Sequence, residues 1–473
     1  MSILKQAYQP EQFQEKGHEL IQLLSQYLSS ALTASSKKMI PWNTPKKELS
    51  FWKDHLQNGT SDTLFKTIIE HSIQLHNPNY MGHQICPPLP ITALSNTLSA
   101  LLNNGMAVYE MGIASSSIER IIIEHLAEHI GYKEQAGGFL TSGGTLANLT
   151  AMLSARKAKA SEDVWRAGSG NKLAIMVSEE AHYCIDRAAR IMGLGDDGII
   201  KIPVTESYQI NSDLLENYYQ ASIAKGIEVI ALVGSAPSTS TGIYDDLEAL
   251  ANFSKKHNLW FHVDGAHGGA AIYSEKYKHI LKGIEQADSV VIDGHKMLMT
   301  PSLTTALIYQ NGQEAHQTFN QKAHYLLETS KDEDWYNIAK RTFECTKSMM
   351  SIHWYVILKT YGKQIFDEFV TTLYDLGNSF AELIDKTLDF EYALQPQSNI
   401  VCFRYKKSDW TEKETNTINA QIRQRIVEKG EFYIVQTKLM DSFYLRVTLM
   451  NPFTSEVHLT GLLDHIREIA SEL

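Results

Sequence analysis

The sequence predicts an α/β protein: a mainly parallel sheet covered by helices, followed by a smaller α+β unit at the C-terminal end. Three observations carry that expectation. Between 138 and 309, short apolar runs at 173–177, 229–233, 259–263, 290–292 and 305–309 alternate with helical stretches, the pattern of a parallel sheet with helices on both faces. Several of these runs end in polar residues capable of chemistry, and open α/β sheets hold their ligands at that carboxyl edge. Beyond about residue 336 the alternation stops. A helix at 349–361 there leads to strands at 400–405 and 443–447 and a terminal helix at 459–470.

Taken in order, residues 11–33 place Leu20, Ile21, Leu23, Leu24, Tyr27, Leu28 and Leu32 at helical spacing, one amphipathic helix. A polar stretch through Pro41, Trp42 and Pro45 follows, then a second helix at 61–72. The segment HNPNYMGH at 76–83 is too rich in Asn, Pro and Gly for regular structure. Ser116 and Glu119 have capping-box spacing, Ile118, Ile121, Ile122, Leu126 and Ile130 line one helix face, and Gly131 ends that helix as a left-handed cap. The expected organisation is an N-terminal helical segment over 1–75, a large domain over 76–335 and a small C-terminal domain over 336–473.

Composition narrows the function. At 473 residues, 43% hydrophobic and 21% charged, the chain is that of an ordinary globular protein of two or three structural units. A formal charge of −11 argues against nucleic acid or anionic membrane as main partner. Cys86, Cys184, Cys345 and Cys402 lie far apart without metal-like spacing, as reduced thiols of a cytoplasmic protein do, and no metal site is expected. The N-terminal residues do not read as a signal peptide, and no run approaches the 18 apolar residues of a membrane span.

The chemistry collects at the strand ends. The run 290–292 ends in Asp293-Gly294-His295-Lys296, and 259–263 ends in Asp264-Gly265-Ala266-His267. Two strands of one sheet would deliver Asp264 and Lys296 to the same edge. A lysine that can form a Schiff base, facing an aspartate that can hold a pyridinium nitrogen, is how a protein uses pyridoxal 5'-phosphate (PLP). Enclosure of Lys296 between an apolar strand and Met297-Leu298-Met299 predicts a lowered pKa and a better nucleophile. The segment Thr141-Ser142-Gly143-Gly144-Thr145 before a helix is either a phosphate cradle or a plain glycine turn. His182, just past 173–177, is either a ring that stacks on a flat cofactor or an ordinary packed histidine. The hydroxyl-rich loop at 238–242 is either part of the same site or a turn.

TSGGTLANL, EEAHYCIDRAARIMGLG, HVDGAHGG and IEQADSVVIDGHKML together resemble the phosphate, ring-stacking, aspartate and lysine segments of the group II PLP-dependent amino-acid decarboxylases, over 76–451. The resemblance implies PLP fold type I, the aspartate-aminotransferase-like architecture with a seven-stranded sheet, working as a homodimer whose active sites are shared and whose N-terminal segment packs across the dimer. It implies that Gly144 and Thr145 bind the phosphate with His295 nearby, that His182 and Ala266 pack on opposite ring faces, that Asp264 pairs with the ring nitrogen, that Thr239 sits near the phenolic oxygen, and that Lys296 carries the cofactor. It further implies decarboxylation of an amino acid to its amine and CO2. A tyrosine of the partner's loop would protonate the product, and within the matching residues 327–340 the nearest is Tyr336.

Arg446 matches an arginine that binds a side-chain carboxylate in glutamate decarboxylases, and aromatic decarboxylases carry one at that strand position too. Segments 76–88 and 103–112 resemble substrate-pocket segments of the acidic and diamino-acid branches, which makes Tyr80, His83 and Tyr109 either pocket residues or packing residues. The chain departs from the family pattern at Gly265, His267 and 235–238. The expected substrate is aspartate, glutamate or 2,4-diaminobutyrate. The alternatives are an aromatic amino acid, a fold type I aminotransferase or lyase, and a non-catalytic protein of the same fold.

Overall fold

A computed structural model describes residues 2–35, 38–319 and 334–473. The chain divides into two compact units, one of 84–375 with 396–398, the other of 1–83, 376–395 and 399–473. These boundaries differ from the expected 75/76 and 335/336. Residues 1–83 do not stand apart but join the C-terminal unit, where backbone bonds tie them down: Met81 N donates to Tyr433 O at 3.0 Å, and Thr448 N donates to Met81 O at 2.9 Å.

The larger unit holds a seven-stranded sheet: β1 (Gly137–Thr141), β2 (Lys172–Ser178), β3 (Ile199–Ile202), β4 (Ile227–Ser235), β5 (Trp260–Asp264), β6 (Ser289–Asp293) and β7 (Thr305–Tyr309). Its order is β1-β7-β6-β5-β4-β2-β3, and only the β7 pairings are antiparallel. The central strands are buried on both faces, which is why they read as unbroken apolar runs. On one face Val233, Trp260, Val291 and Leu307 pack in a core with Ala147, Ala151, Met152 and Ala155 of the helix Gly144–Lys159. The other face meets the helix Leu247–His257. Gly234 has no side chain there, and a Cβ on it would come 2.9 Å from both Leu247 and Leu250.

The five predicted runs are present as β2 and β4–β7, the strand-like residues 138–140 are β1, and β3 is added to them. The helix expected at 61–72 is present in part, as a 3₁₀ turn at Ser61–Thr63 running into Leu64–Glu70. The capping box at Ser116 is not formed. That helix runs Ile113–Ile130, so Ser116 lies inside its first turn, while Gly131 does take the left-handed cap at φ 94°. Glu119 is drawn elsewhere: its Oε1 accepts from Lys347 Nζ at 2.7 Å and from Leu140 N at 3.1 Å, all buried. A buried ammonium and a strand N–H outbid the helix terminus for that carboxylate.

In the second unit, β8 (Phe390–Tyr392), β9 (Ile400–Tyr405), β10 (Val435–Leu439) and β11 (Ser442–Thr448) form an antiparallel sheet of order β10-β11-β9-β8. Phe403, Leu445 and Val447 pack in one core with Ile422, Ile426, Leu459, Leu462 and Ile466 of the helices Glu412–Lys429 and Glu456–Ser471. The first of these helices opens on a capping box, Thr411 with Glu414, and ends at Gly430 in the left-handed region. Among the described residues no helix is long and apolar enough to cross a membrane.

Breaking the Glu119–Lys347 pair should be costly. Glu119→Gln leaves a buried ammonium half-compensated and is expected to destabilise the larger unit by about 3 kcal/mol. The combined change Glu119→Leu with Lys347→Met is expected to recover most of that loss, as read from urea-unfolding midpoints.

Candidate active site

The carboxyl ends of β2, β4, β5 and β6 and the turn after β1 converge on one cavity of about 410 Å³ in the larger unit. Gly144, Thr145, His182, Thr239, Asp264, Ala266, His295 and Lys296 all line it. These strand-end residues therefore line one cavity.

Lys296 sits in the short helix Gly294–Met297 directly after β6, with Nζ 2.9 Å from Asp293 Oδ2. Asp293 is buried, and its Oδ1 accepts from Thr305 Oγ1 at 2.5 Å. Burial disfavours the Lys296 ammonium, but the carboxylates of Asp293 and Asp264 outweigh it and raise the pKa above the ordinary lysine value. Enclosure was expected to lower it. The correction has a simple cause: two anions beside a desolvated cation favour the charged form more than desolvation penalises it. Burial likewise opposes the Asp293 anion, yet Lys296, His295 and the Thr305 hydroxyl hold its carboxyl below the usual range.

His182 follows β2. Burial keeps its pKa below the ordinary histidine value against the pull of Asp264. Its Nδ1 accepts from Cys184 N at 3.3 Å, so the neutral ring carries its proton on Nε2. Asp264, at the end of β5, accepts from Ala266 N at 3.2 Å, and Cys184 Sγ lies 3.9 Å from its other oxygen. Behind it runs a buried polar chain. Asn148 Nδ2 donates to Cys184 Sγ at 3.4 Å, Asn148 Oδ1 meets His262 Nε2 at 2.7 Å, and His262 Nδ1 meets Ser289 Oγ at 2.8 Å. Burial lowers the His262 pKa to about 4, so this ring is neutral and transmits orientation rather than charge.

At the other end, Gly143 (φ 114°) turns the chain into the helix Gly144–Lys159, whose N-terminus opens on the cavity. The turn already attracts an anion: Ser142 N and Oγ donate to Glu344 Oε1 at 3.3 and 3.0 Å. A Cβ on Gly144 would stand 3.2 Å from the Asp293 carboxylate, so the cradle is shaped by a missing side chain. A phosphate-sized anion site, a lysine and an aspartate thus surround one cavity, the donor set that PLP requires.

Comparison with known proteins agrees. The family described as "Pyridoxal-dependent decarboxylase conserved domain" matches residues 37–406. The chain belongs to this family. It is a PLP-dependent carboxy-lyase. It is similar to the aspartate 1-decarboxylase of Aliivibrio fischeri (29% identical, covering 96% of this chain and 90% of that one) and to the L-2,4-diaminobutyrate decarboxylase of Acinetobacter baumannii (25%, covering 89% and 86%). Among solved structures it shares the fold of mouse CSAD, with TM-score 0.88 at 22% identity, covering 97% of this chain and 99% of that one.

The expected substrate residues do not gather in this way. Tyr80, His83 and Arg446 belong to the second unit. There the Tyr80 hydroxyl donates to His83 O at 3.3 Å, the His83 ring lies 5.6 Å from that of Tyr433, and burial, then Arg446 and Arg423, lowers the His83 pKa. Tyr109 and Tyr336 belong to the larger unit and meet edge-on at 5.6 Å, but neither lines the cavity. Residues 327–333 of the expected loop lie outside the described residues. Asp293, Cys184, Asn148 and Arg187 also line the cavity; they fall inside the motifs quoted from the sequence but had no role assigned there. Asp293 could have been found, since it stands three residues before Lys296 on the turn of a helix. Asn148 and Cys184 carry no such signal.

Replacing Gly144 by valine in this decarboxylase should push the Asp293 carboxylate away from Lys296 and close the cradle. A loss of PLP content with an unchanged far-ultraviolet spectrum is expected.

Proposed function

We propose that the enzyme removes the α-carboxyl group of an L-amino acid with an acidic or diamino side chain: aspartate, glutamate or 2,4-diaminobutyrate. The observation that carries this reading is the polar wall of the cavity. Beside the cofactor residues, Ser142, Arg187, Ser235 and His267 line it, and among the described residues its aliphatic side chains are Pro237, Ala266 and Leu303. A large apolar ring would find little to bury against there. The aspartate 1-decarboxylase relative, whose similarity spans nearly the whole chain, points the same way.

When bound, PLP supplies the electron sink that accepts the pair left behind as CO2 departs. The chain's own groups hold and orient. Lys296 Nζ is the attachment point, and Asp293, at 2.9 Å, holds it in place. Asp264 keeps the ring nitrogen protonated, and the Cys184–Asn148–His262 chain fixes its orientation. His182 and Ala266 flank the ring, Thr239 serves the phenolic oxygen, and Gly144, Thr145 and His295 hold the phosphate. Arg446 would supply the cation for a substrate side-chain carboxylate, Tyr80, His83 and Tyr109 would shape the substrate pocket, and Tyr336 of a second copy of the chain would be the proton donor to Cα.

That last role needs a homodimer with shared sites. Its support is apolar surface left uncovered in one chain: Leu94, Leu98, Leu101 and Leu102 along the helix Pro90–Leu102 are each at least half exposed, and Phe13 and Ile21 are exposed on the helix Pro10–Leu32. The four cysteines are free, which fits our assignment of the enzyme to the reducing cytoplasm.

The decisive experiment measures CO2 release from a panel of amino acids. Turnover of aspartate, glutamate or 2,4-diaminobutyrate is expected, and turnover confined to tryptophan, tyrosine or phenylalanine would move the assignment to the aromatic branch. Separately, Asp264→Asn should retain PLP yet lose at least about hundredfold in kcat, roughly 2.7 kcal/mol of transition-state stabilisation. A loss of only a few-fold would mean that Asp264 is not the partner of the ring nitrogen.

A further inference from the structure

Away from the active site, the last two turns of the helix Ile113–Ile130 carry the sequence His125-Leu126-Ala127-Glu128-His129. Positions i, i+3 and i+4 share a helix face, and one ligand atom from each of His125, Glu128 and His129 lies within 4.8 Å of the others. The two imidazoles stand 4.3 Å apart, and both lie against the ring of Tyr273, at 5.7 and 4.8 Å. We propose that His125, Glu128 and His129 bind a divalent transition-metal ion of the zinc type.

Four observations support this. His129 Nδ1 is 2.8 Å from the His125 carbonyl, which fixes the ring and leaves Nε2 as its ligand atom. His125 Nε2 is buried with no hydrogen-bond partner among the described residues, and so is the hydroxyl of Tyr273, a side chain only 5% exposed. Two such orphans in one cluster are costly unless something further occupies it, and a metal ion with its bound waters would satisfy both. The Glu128 carboxylate, at an exposed position three residues on from His125, offers the third ligand from the same cluster. A cation there also lies at the C-terminal end of the helix, where the dipole favours positive charge.

The fit demands small movements. Two ligand atoms on one tetrahedral zinc ion stand about 3.3 Å apart, so atoms up to 4.8 Å apart must close by about 1.5 Å. The Lys363 ammonium, 3.5 Å from His129 Nε2, must swing away, and its exposed side chain is free to do so. Two imidazoles and one carboxylate suit zinc, nickel or cobalt rather than magnesium or calcium.

The test is calorimetric titration of Zn2+ into the PLP-loaded enzyme at pH 7.5, in buffer that does not chelate. One saturable site per chain is expected, weakened about tenfold or more in His129→Ala and measurably in Glu128→Gln, a change at an exposed position that leaves the fold intact. Decarboxylase activity should be the same in both variants as in the native enzyme. The absence of a saturable site, or a site whose affinity is unchanged in both variants, would overturn the proposal.

Discussion

A cation buried between two carboxylates organises the centre of this enzyme. Lys296 would be expensive to enclose alone, and so would Asp293. Together, with Asp264 across the strand end, they raise the lysine's pKa and lower that of Asp293. The parallel sheet makes this possible, because β5 and β6 run side by side in register, Asp264 opposite Val291, and so discharge their polar ends at one edge. Thr305 of the antiparallel β7 reaches the same carboxylate from the neighbouring strand, and Gly144 comes close enough to it that no side chain fits between. The site is thus fixed from three sides before any ligand contributes.

Behind that first ring of groups lies a second constraint of a different kind. The groups leading away from Asp264 are neutral: a thiol raised far from ionisation by burial, an amide, an imidazole with its pKa near 4. A charged second ring would compete with Lys296 for the carboxylates. Neutral dipoles orient without competing. Trp260 closes the chain by donating to Ser289 Oγ at 2.9 Å, so the orientation of Asp264 is anchored in the apolar core of the sheet itself.

Much of this was legible in the sequence because parallel strands and their carboxyl ends leave a strong local signal. The runs at 290–292 and 305–309 correspond to β6 and β7, and the motif after β6 carries its chemistry with it. What escaped reading depends on tertiary partners. Glu119 looks like a capping residue until Lys347, more than two hundred positions away, is seen beside it. β3, Ile199–Ile202, has a lysine inside and only partial burial, so its apolar signal is weak. Asn148 is an ordinary helix residue in sequence, and only its 2.7 Å meeting with His262 gives it a part in the site. The pKa of Lys296 differs from expectation for the same reason: burial is readable from an apolar neighbourhood, whereas Asp293 turning back onto the lysine is a matter of backbone geometry.

The proposed cofactor residues share one compact unit, whereas the proposed substrate residues are divided between two, with Tyr109 in the larger. Every residue assigned to PLP lies in the larger unit, on ends of one sheet that the fold cannot help bringing together. Tyr80, His83 and Arg446, assigned to substrate, lie in the other, on an antiparallel sheet and on the irregular segment that bridges Tyr80 to Tyr433. The cofactor-site geometry is therefore tied to the sheet topology, while the side chains proposed for substrate in the other unit lie off that sheet. Relatives similar along nearly their whole length are an aspartate, an aromatic amino-acid and a 2,4-diaminobutyrate decarboxylase, so the strand-end motifs, which serve the cofactor chemistry common to all three, leave the amino acid open.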